Sequence, residues 1–197
     1  MLDAVLFDLD NTLIDRDRAF REWVDASFSE PAVRAELLRL DAGGHGDRAA
    51  LLDAWERHAG APMTLAELGV QIADRLQPDR GLLQALQALS AALKLGIVSN
   101  GGSETQRRKI RASGLDELFP HERVWISAEV GKAKPDPGIF ILASQSLGVA
   151  PGNCLVVGDH APHDIVGAAA AGMRALLVGA ALDGKRLGTL MDQERTR

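Results

Sequence analysis

The chain has 197 residues, 46% of them hydrophobic and 25% charged, with a formal charge of -5. That length suits one ordinary domain, or one core domain carrying a smaller insert, and would cramp two full domains. The acidic balance argues against a dedicated nucleic-acid binder and the short, scattered apolar runs argue against a membrane span, while small anionic substrates stay open because a single Lys and a few backbone N–H groups bind phosphate whatever the net charge.

The chain opens MLDAVLFDLD, with no basic leader before a strand-like run, so no secretory or transit signal is expected and a cytoplasmic location is the default. The first predicted strand, Ala4 to Leu9, ends in Asp8 and Asp10, one residue apart, with Thr12 two further on. From Asp15 to about Ala92 no strand is predicted. This stretch holds four or five helical patterns, punctuated by Pro31, the loop DAGGHGDR (Asp41 to Arg48), Gly60 to Pro62, and Pro78 with Gly81. One crossover needs only about one helix. Residues 16–77 are therefore read as a small all-helical insert hinged near Leu13 to Asp17 and Pro78 to Gly81, and residues 1–15 and 78–197 as the core. Trp23 and Trp55, at helical spacing from Leu and Ala, are expected to form the core of the insert rather than a base-stacking platform.

A helix from Leu82 to Leu93 is predicted to return the chain to the sheet. Four more strands follow: Leu93 to Ser99, Arg123 to Ala128, Cys154 to Asp159 and Arg174 to Gly179. Their near-continuous hydrophobicity predicts a parallel sheet covered on both faces. Between them Ser103 to Gly114, Pro137 to Leu147 and Asp164 to Gly172 fit crossover helices, with Gly114 and Gly172 just past two of the ends. The alternation predicts an α/β class, a doubly wound, Rossmann-like parallel sheet with a helical insert. The lone Cys154 sits in an apolar run and reads as a buried, inert thiol, and the polar tail after Gly188 is expected to fray.

In such a sheet ligands bind beyond the carboxyl ends of the strands, and polar groups gather at four of them. Carboxylates as close as Asp8 and Asp10 repel or share a cation, and Mg²⁺, which prefers oxygen ligands, would resolve the conflict. After the second strand Ser99 and Asn100 offer side-chain donors, while Gly101 and Gly102 let backbone N–H groups approach an anion. In GKAKPDP, Lys134 directly precedes Pro135 and supplies a fixed point charge for phosphate and carboxylate, with Lys132 as a competitor. GDHAPHD adds Asp159 and Asp164. Each motif alone has a structural explanation as a turn, a cap or a loop; together, in this order at strand ends, they point to one site.

FDLDNTL, VSNGG, KPDP and GDHAPHD resemble, in order, the four motifs of the haloacid dehalogenase-like hydrolase superfamily, and the insert resembles the small helical cap of one subclass. The resemblance implies an Mg²⁺-dependent phosphomonoesterase. Asp8 would be the nucleophile that takes up the phosphoryl group as an aspartyl-phosphate, and Asp10 the general acid and then the base. Mg²⁺ would be held by Asp8, the backbone carbonyl of Asp10, Asp159 and, as a further ligand, Asp164; Ser99 and Lys134 would bind the phosphoryl group beside Asn100 and Gly101, with Thr12 orienting the loop. Dehalogenase members lack an acid at the position of Asp10, so its presence argues for phosphate chemistry.

His160 stands where Ser is common in relatives, and it and His163 are read as lining a loop. Arg16, Arg18, Arg21, His45 and Arg48 are candidates to reach over the cleft, set against a solvated helix face and a flexible loop. DLDNTLID and NGGSETQRRKI look most like the branch of nucleotidases, sugar-phosphate and acylneuraminate-phosphate phosphatases. A small soluble phosphorylated metabolite is expected as substrate: a nucleoside monophosphate, a sugar phosphate or a phosphoglycolate-like compound, acted on by a monomer or homodimer. The alternatives are a phosphomutase using the same aspartyl-phosphate and, more remotely, a receiver-type signalling domain, which would carry its acceptor on a later strand and have no helical insert.

Overall fold

The computed structural model describes residues 1–195 and shows five strands in one parallel sheet: β1 (Ala4–Phe7), β2 (Lys94–Ser99), β3 (Val124–Ile126), β4 (Cys154–Gly158) and β5 (Arg174–Leu177). Their order is β3-β2-β1-β4-β5. The chain winds outward from β1 through β2 to β3, then crosses back to β4 and β5. The winding reverses at β1, so a crevice opens beyond its carboxyl end. Val5, Phe7, Ile97 and Val157 enter one apolar cluster, and Ala4, Leu6, Val98 and Val156 the other, on opposite faces of the pleat. A strand buried on both faces is apolar at every position, which is why these runs read as continuous.

The sheet is covered by α5 (Arg80–Ser90), α6 (Ser103–Ala112), α7 (Ser127–Val130), α8 (Pro137–Ser146), α9 (Val166–Ala170) and α10 (Gly184–Arg195). The helix expected from Leu82 begins two residues earlier because the Asp79 carboxylate caps it, accepting from the Leu82 N–H at 3.0 Å. The helix expected over Asp164 to Gly172 is instead a wide π-type turn, Ala161–Ile165, followed by the short α9. Asp164 draws the chain into that turn. Its N–H donates to His160 O at 2.8 Å, and its carboxylate accepts from the His160 N–H at 3.0 Å.

The tail does not fray as expected. Leu187, Leu190 and Met191 make a helical stripe, and α10 lays Leu187 and Met191 into the same cluster as Leu82 and Leu86 of α5. The last two residues of the tail, Thr196 and Arg197, lie outside the described residues. Among the described residues no helix is long and apolar enough to cross a membrane.

Between β1 and α5 lie four helices, α1 (Arg16–Ser27), α2 (Pro31–Asp41), α3 (Arg48–Ala59) and α4 (Leu65–Ala73). Each has a local start signal. Asp15 caps α1, Pro31 opens α2, Asp47 caps α3, and Thr64 with Glu67 makes a reciprocal capping box on α4. Trp23 and Trp55 stack at 4.5 Å, with Phe20 and Phe28 against them, so both indoles belong to the packing of these helices. The helix pair α4–α6 joins this layer to the core over Gly69, where a Cβ would come within 2.5 Å of Thr105 Cγ2.

Candidate active site

Asp8 leaves β1 tied to its neighbour, its N–H donating to Val157 O at 2.8 Å, and its side chain is buried. Lys134 arrives from the loop before α8, and its ammonium donates to Asp8 Oδ1 and Asp164 Oδ1, both at 2.6 Å. Asp159, at the end of β4, completes the group: Asp8, Asp159 and Asp164 each bring an oxygen within 4.8 Å of the other two. Gly158 makes the approach possible, because a Cβ there would lie 2.3 Å from the Asp164 carboxylate. Thr12, fully buried, donates to Asp8 Oδ2 at 3.4 Å.

The charge balance of this group is uneven. Burial, with repulsion from Asp164, raises Asp8 to about 7 against the pull of Lys134. Asp159 is raised by burial and again by Asp164. Burial alone would lower Lys134, but the two carboxylates outweigh it and hold the ammonium protonated above its ordinary range. Three acids facing one base, all of them hard oxygen donors, fit a divalent cation such as Mg²⁺.

Asp10 enters the same cleft with different partners. Lys109 donates to both its carboxylate oxygens, at 2.7 and 2.9 Å, and Gln106 Nε2 donates to Oδ2 at 2.9 Å. Burial opposes ionisation of Asp10, but the charges of Lys109 and Arg16 and these hydrogen bonds prevail and hold its carboxyl below the usual range. Gln106 Nε2 also donates to Ser99 Oγ at 2.6 Å, linking the ends of β1 and β2. Gln106 and Lys109 were missed in the sequence. They lie three apart on the buried face of a helix, SETQRRKIRA, so polar that its inner side is marked only by Ile110.

The loop after β2 differs from an open anion cradle. The Asn100 side chain is committed to the backbone of Lys134, donating to its O at 2.9 Å and accepting from its N–H at 2.8 Å. It holds Lys134 in place. The Gly101 N–H donates to Ser127 Oγ at 3.0 Å, and its φ of 141° admits only glycine readily. Lys132 is exposed whereas Lys134 is buried, which separates the two lysines.

The loop DAGGHGDR is tied together by an internal hydrogen-bond network. Its centre is Asp41, 2% exposed, whose carboxylate accepts two N–H groups of Arg16, one of Arg48 at 3.0 Å and the Gly44 N–H at 3.1 Å. Arg16 is thus buried in an ion pair, not spread on a solvated face. Arg48 adds bonds to Asp41 O and Gly46 O. Asn11, in the left-handed conformation at φ 57°, reaches from the first loop to Gly43 O at 3.3 Å and to Asp17 at both ends of its amide. Arg18 does sit on a solvated face, paired with Glu22, and Arg21 is exposed.

This closure sets His45 over the cleft, its ring stacked on His160 at 3.8 Å, with His163 at 4.2 Å from His160. Burial, with the adjacent charges of His160 and His163, lowers His45 to about 4. The cleft beneath has a volume of ≈ 400 Å³ and is bounded by Asp8, Asp10, Ser99 and Lys134 below, the histidines and Arg48 at one side, and Leu68 and Ile72 of α4 at the other.

A family model described as haloacid dehalogenase-like hydrolase matches residues 2–172. A glyceraldehyde 3-phosphate phosphatase of Methanopyrus kandleri is 34% identical over 195 residues, covering 88% of this chain and 82% of its own length. A phosphoserine phosphatase of Thermus thermophilus is 35% identical over 158 residues, covering 78% of this chain and 61% of its own. Among solved structures, an HAD phosphatase from Thermococcus onnurineus superposes with a TM-score of 0.68 at 26% identity and covers 98% of both chains. With its parallel sheet, its four motifs gathered at the strand ends and this match over most of its length, the chain belongs to the haloacid dehalogenase-like hydrolase family.

Proposed function

We propose that the chain is an Mg²⁺-dependent phosphatase of a small phosphomonoester, working in the cytoplasm through an aspartyl-phosphate on Asp8. The observation that carries this is Asp8 itself: a buried carboxylate, raised to about 7 where it lies, facing two more acids and one ammonium at the floor of the cleft. Such a group gains most from a metal and an anionic partner arriving together. Asp8, Asp159 and Asp164, with the backbone carbonyl of Asp10, would hold Mg²⁺, whose charge when bound would offset that on the phosphoryl oxygens.

An Asp8 oxygen attacks phosphorus as the bond from phosphorus to the leaving oxygen breaks, and Asp10 passes its proton to that oxygen. Asp10 then takes a proton from the water that attacks phosphorus and frees Asp8. The Lys109 pair keeps Asp10 ionised in the empty cleft, ready as the base; an incoming phosphate dianion favours its protonated form for the first step. Lys134, held by Asn100, carries the fixed positive charge beside Asp8, and Ser99, steered by Gln106, turns its hydroxyl to the phosphoryl group. Residues 16–77 act as a cap that keeps water from the leaving group until transfer.

Substrate reading follows from the walls. With Trp23 and Trp55 packed on each other, the cap offers no indole face to a base, so a sugar phosphate or phosphoglycolate-like compound fits better than a nucleoside monophosphate. The relatives named for glyceraldehyde 3-phosphate and phosphoserine support a compact leaving group. A panel of phosphorylated metabolites, read by free phosphate with Mg²⁺ and with EDTA, tests this. Phosphate release from small esters only in the presence of Mg²⁺ is expected; isomerisation without phosphate release would make the protein a phosphomutase instead.

A further inference from the structure

Beside the carboxylates lies a second donor set that the phosphatase reading does not use. His45 from the loop over the cleft and His160 and His163 from the turn after β4 place one ring nitrogen each within 4.8 Å of the other two. Stacking alone does not account for them. Among the described residues, Nδ1 of His160 is buried with no hydrogen-bond partner, an arrangement that is unfavourable for a ring nitrogen unless a ligand meets it.

We propose that His45, His160 and His163 form a binding site for a transition-metal dication of the Zn²⁺ or Co²⁺ type, separate from the carboxylate site and joining the cap loop to the core. Three imidazoles with a fourth position open are a common zinc arrangement, and nitrogen donors select such ions over Mg²⁺, which seeks oxygen. The two sets interleave along one short turn, Asp159-His160 and His163-Asp164. One ion type is thus sorted to the carboxylates and another to the rings.

The present geometry is one ring movement from coordination. Metal–nitrogen bonds near 2.0–2.1 Å place tetrahedral donors about 3.3 Å apart, so nitrogens within 4.8 Å of one another need close up by no more than about 1.5 Å. A metal lies in the plane of each ring it binds, and His45 and His160, only 18° from parallel at 3.8 Å, cannot both face one ion. His160 and His163, inclined at 52°, already diverge. His45 is the most exposed of the three, so its ring has the most room to turn. Once bound, the ion ties a loop anchored on Asp41 to the turn carrying Asp159 and Asp164, holding the cleft closed.

The test is a Co²⁺ titration of EDTA-stripped, dialysed protein in excess Mg²⁺, which fills the carboxylates, read by visible absorption. The wild type should bind one equivalent with the intense bands of low-coordinate, nitrogen-ligated Co²⁺, and Zn²⁺ should bleach them. His45→Gln and His163→Gln should each weaken binding at least about 10-fold, whereas His58→Gln, on a surface histidine paired with Glu36, should leave it unchanged. Circular dichroism confirms that each variant is folded. No nitrogen-ligand bands in the wild type, or bands that survive both His45→Gln and His163→Gln, would overturn the site.

Discussion

Two buried charge clusters border the same cleft and are balanced in opposite directions. In the core, Asp8, Asp159 and Asp164 face a single ammonium, Lys134. In the insert, one buried carboxylate, Asp41, faces two guanidiniums, Arg16 and Arg48, with the half-exposed Asp17 3.3 Å from Arg16. The second cluster is complete as it stands, each carboxylate oxygen accepting more than one N–H. The first lacks positive charge and is kept that way by the sheet, which fixes the acids at strand ends. Saturation marks a structural knot and deficit marks a site that awaits a ligand.

The largest effect that tests this contrast comes from Asp8→Asn. Turnover should fall by at least about 10³-fold with circular dichroism unchanged, since an amide is no nucleophile yet fills the same space. The mirror experiment is Asp41→Ala, which strips buried Arg16 of its two-pronged partner and leaves it only the half-exposed Asp17 at 3.3 Å. It should lower stability by about 3–5 kcal/mol in urea denaturation. If Asp41→Ala were neutral for stability and Asp8→Asn strongly destabilising, the two clusters would have exchanged roles.

A third test uses pH. In EDTA, Asp8 holds its proton up to about 7 when folded but only to its ordinary 3.8 when unfolded. The folded state therefore binds more protons between these values, and stability falls as pH rises from about 4 to about 7, by on the order of a few kcal/mol. Asp8→Asn should flatten that fall in denaturation curves taken across the range, and Mg²⁺ should oppose it in the wild type.

Much of the fold was legible because a parallel strand covered on both faces is apolar at every position, and runs such as CLVVG in β4 resemble little else. Asp8, Ser99 and Asp159 were legible because they end or directly follow such runs, and Lys134 because it directly precedes Pro135 in the loop beyond β3. Asp41, Gln106 and Lys109 were not. Each sits on a helix or helix end, and a polar residue buried by pairing with a distant partner is written with the same letters as one that faces water. Asp41 is 25 residues from Arg16, and Lys109 is 99 from Asp10. The tail was misjudged for a related reason: its apolar stripe is only three residues, and the face that receives it, on α5, is distant in sequence.

Two smaller effects sharpen the boundary between the regions. Gly69→Ala forces α4 off Thr105 and should destabilise by about 1–3 kcal/mol, with a change in KM, because α4 forms one wall of the cleft. Arg18→Ala breaks only an exposed pair with Glu22 on α1 and should shift stability by no more than about 0.5 kcal/mol and leave KM unchanged. A large effect on KM there would place Arg18 in the substrate path.

The central claim is that Asp8 takes up the phosphoryl group. The most direct measurement is an acid quench during steady turnover of the best ester from the panel, followed by mass spectrometry of the peptide that spans β1 and its loop. This peptide should gain the mass of one phosphoryl group, removable by hydroxylamine and absent in Asp8→Asn; steady phosphate release with the peptide unmodified, or turnover by Asp8→Asn, would rule Asp8 out as the acceptor.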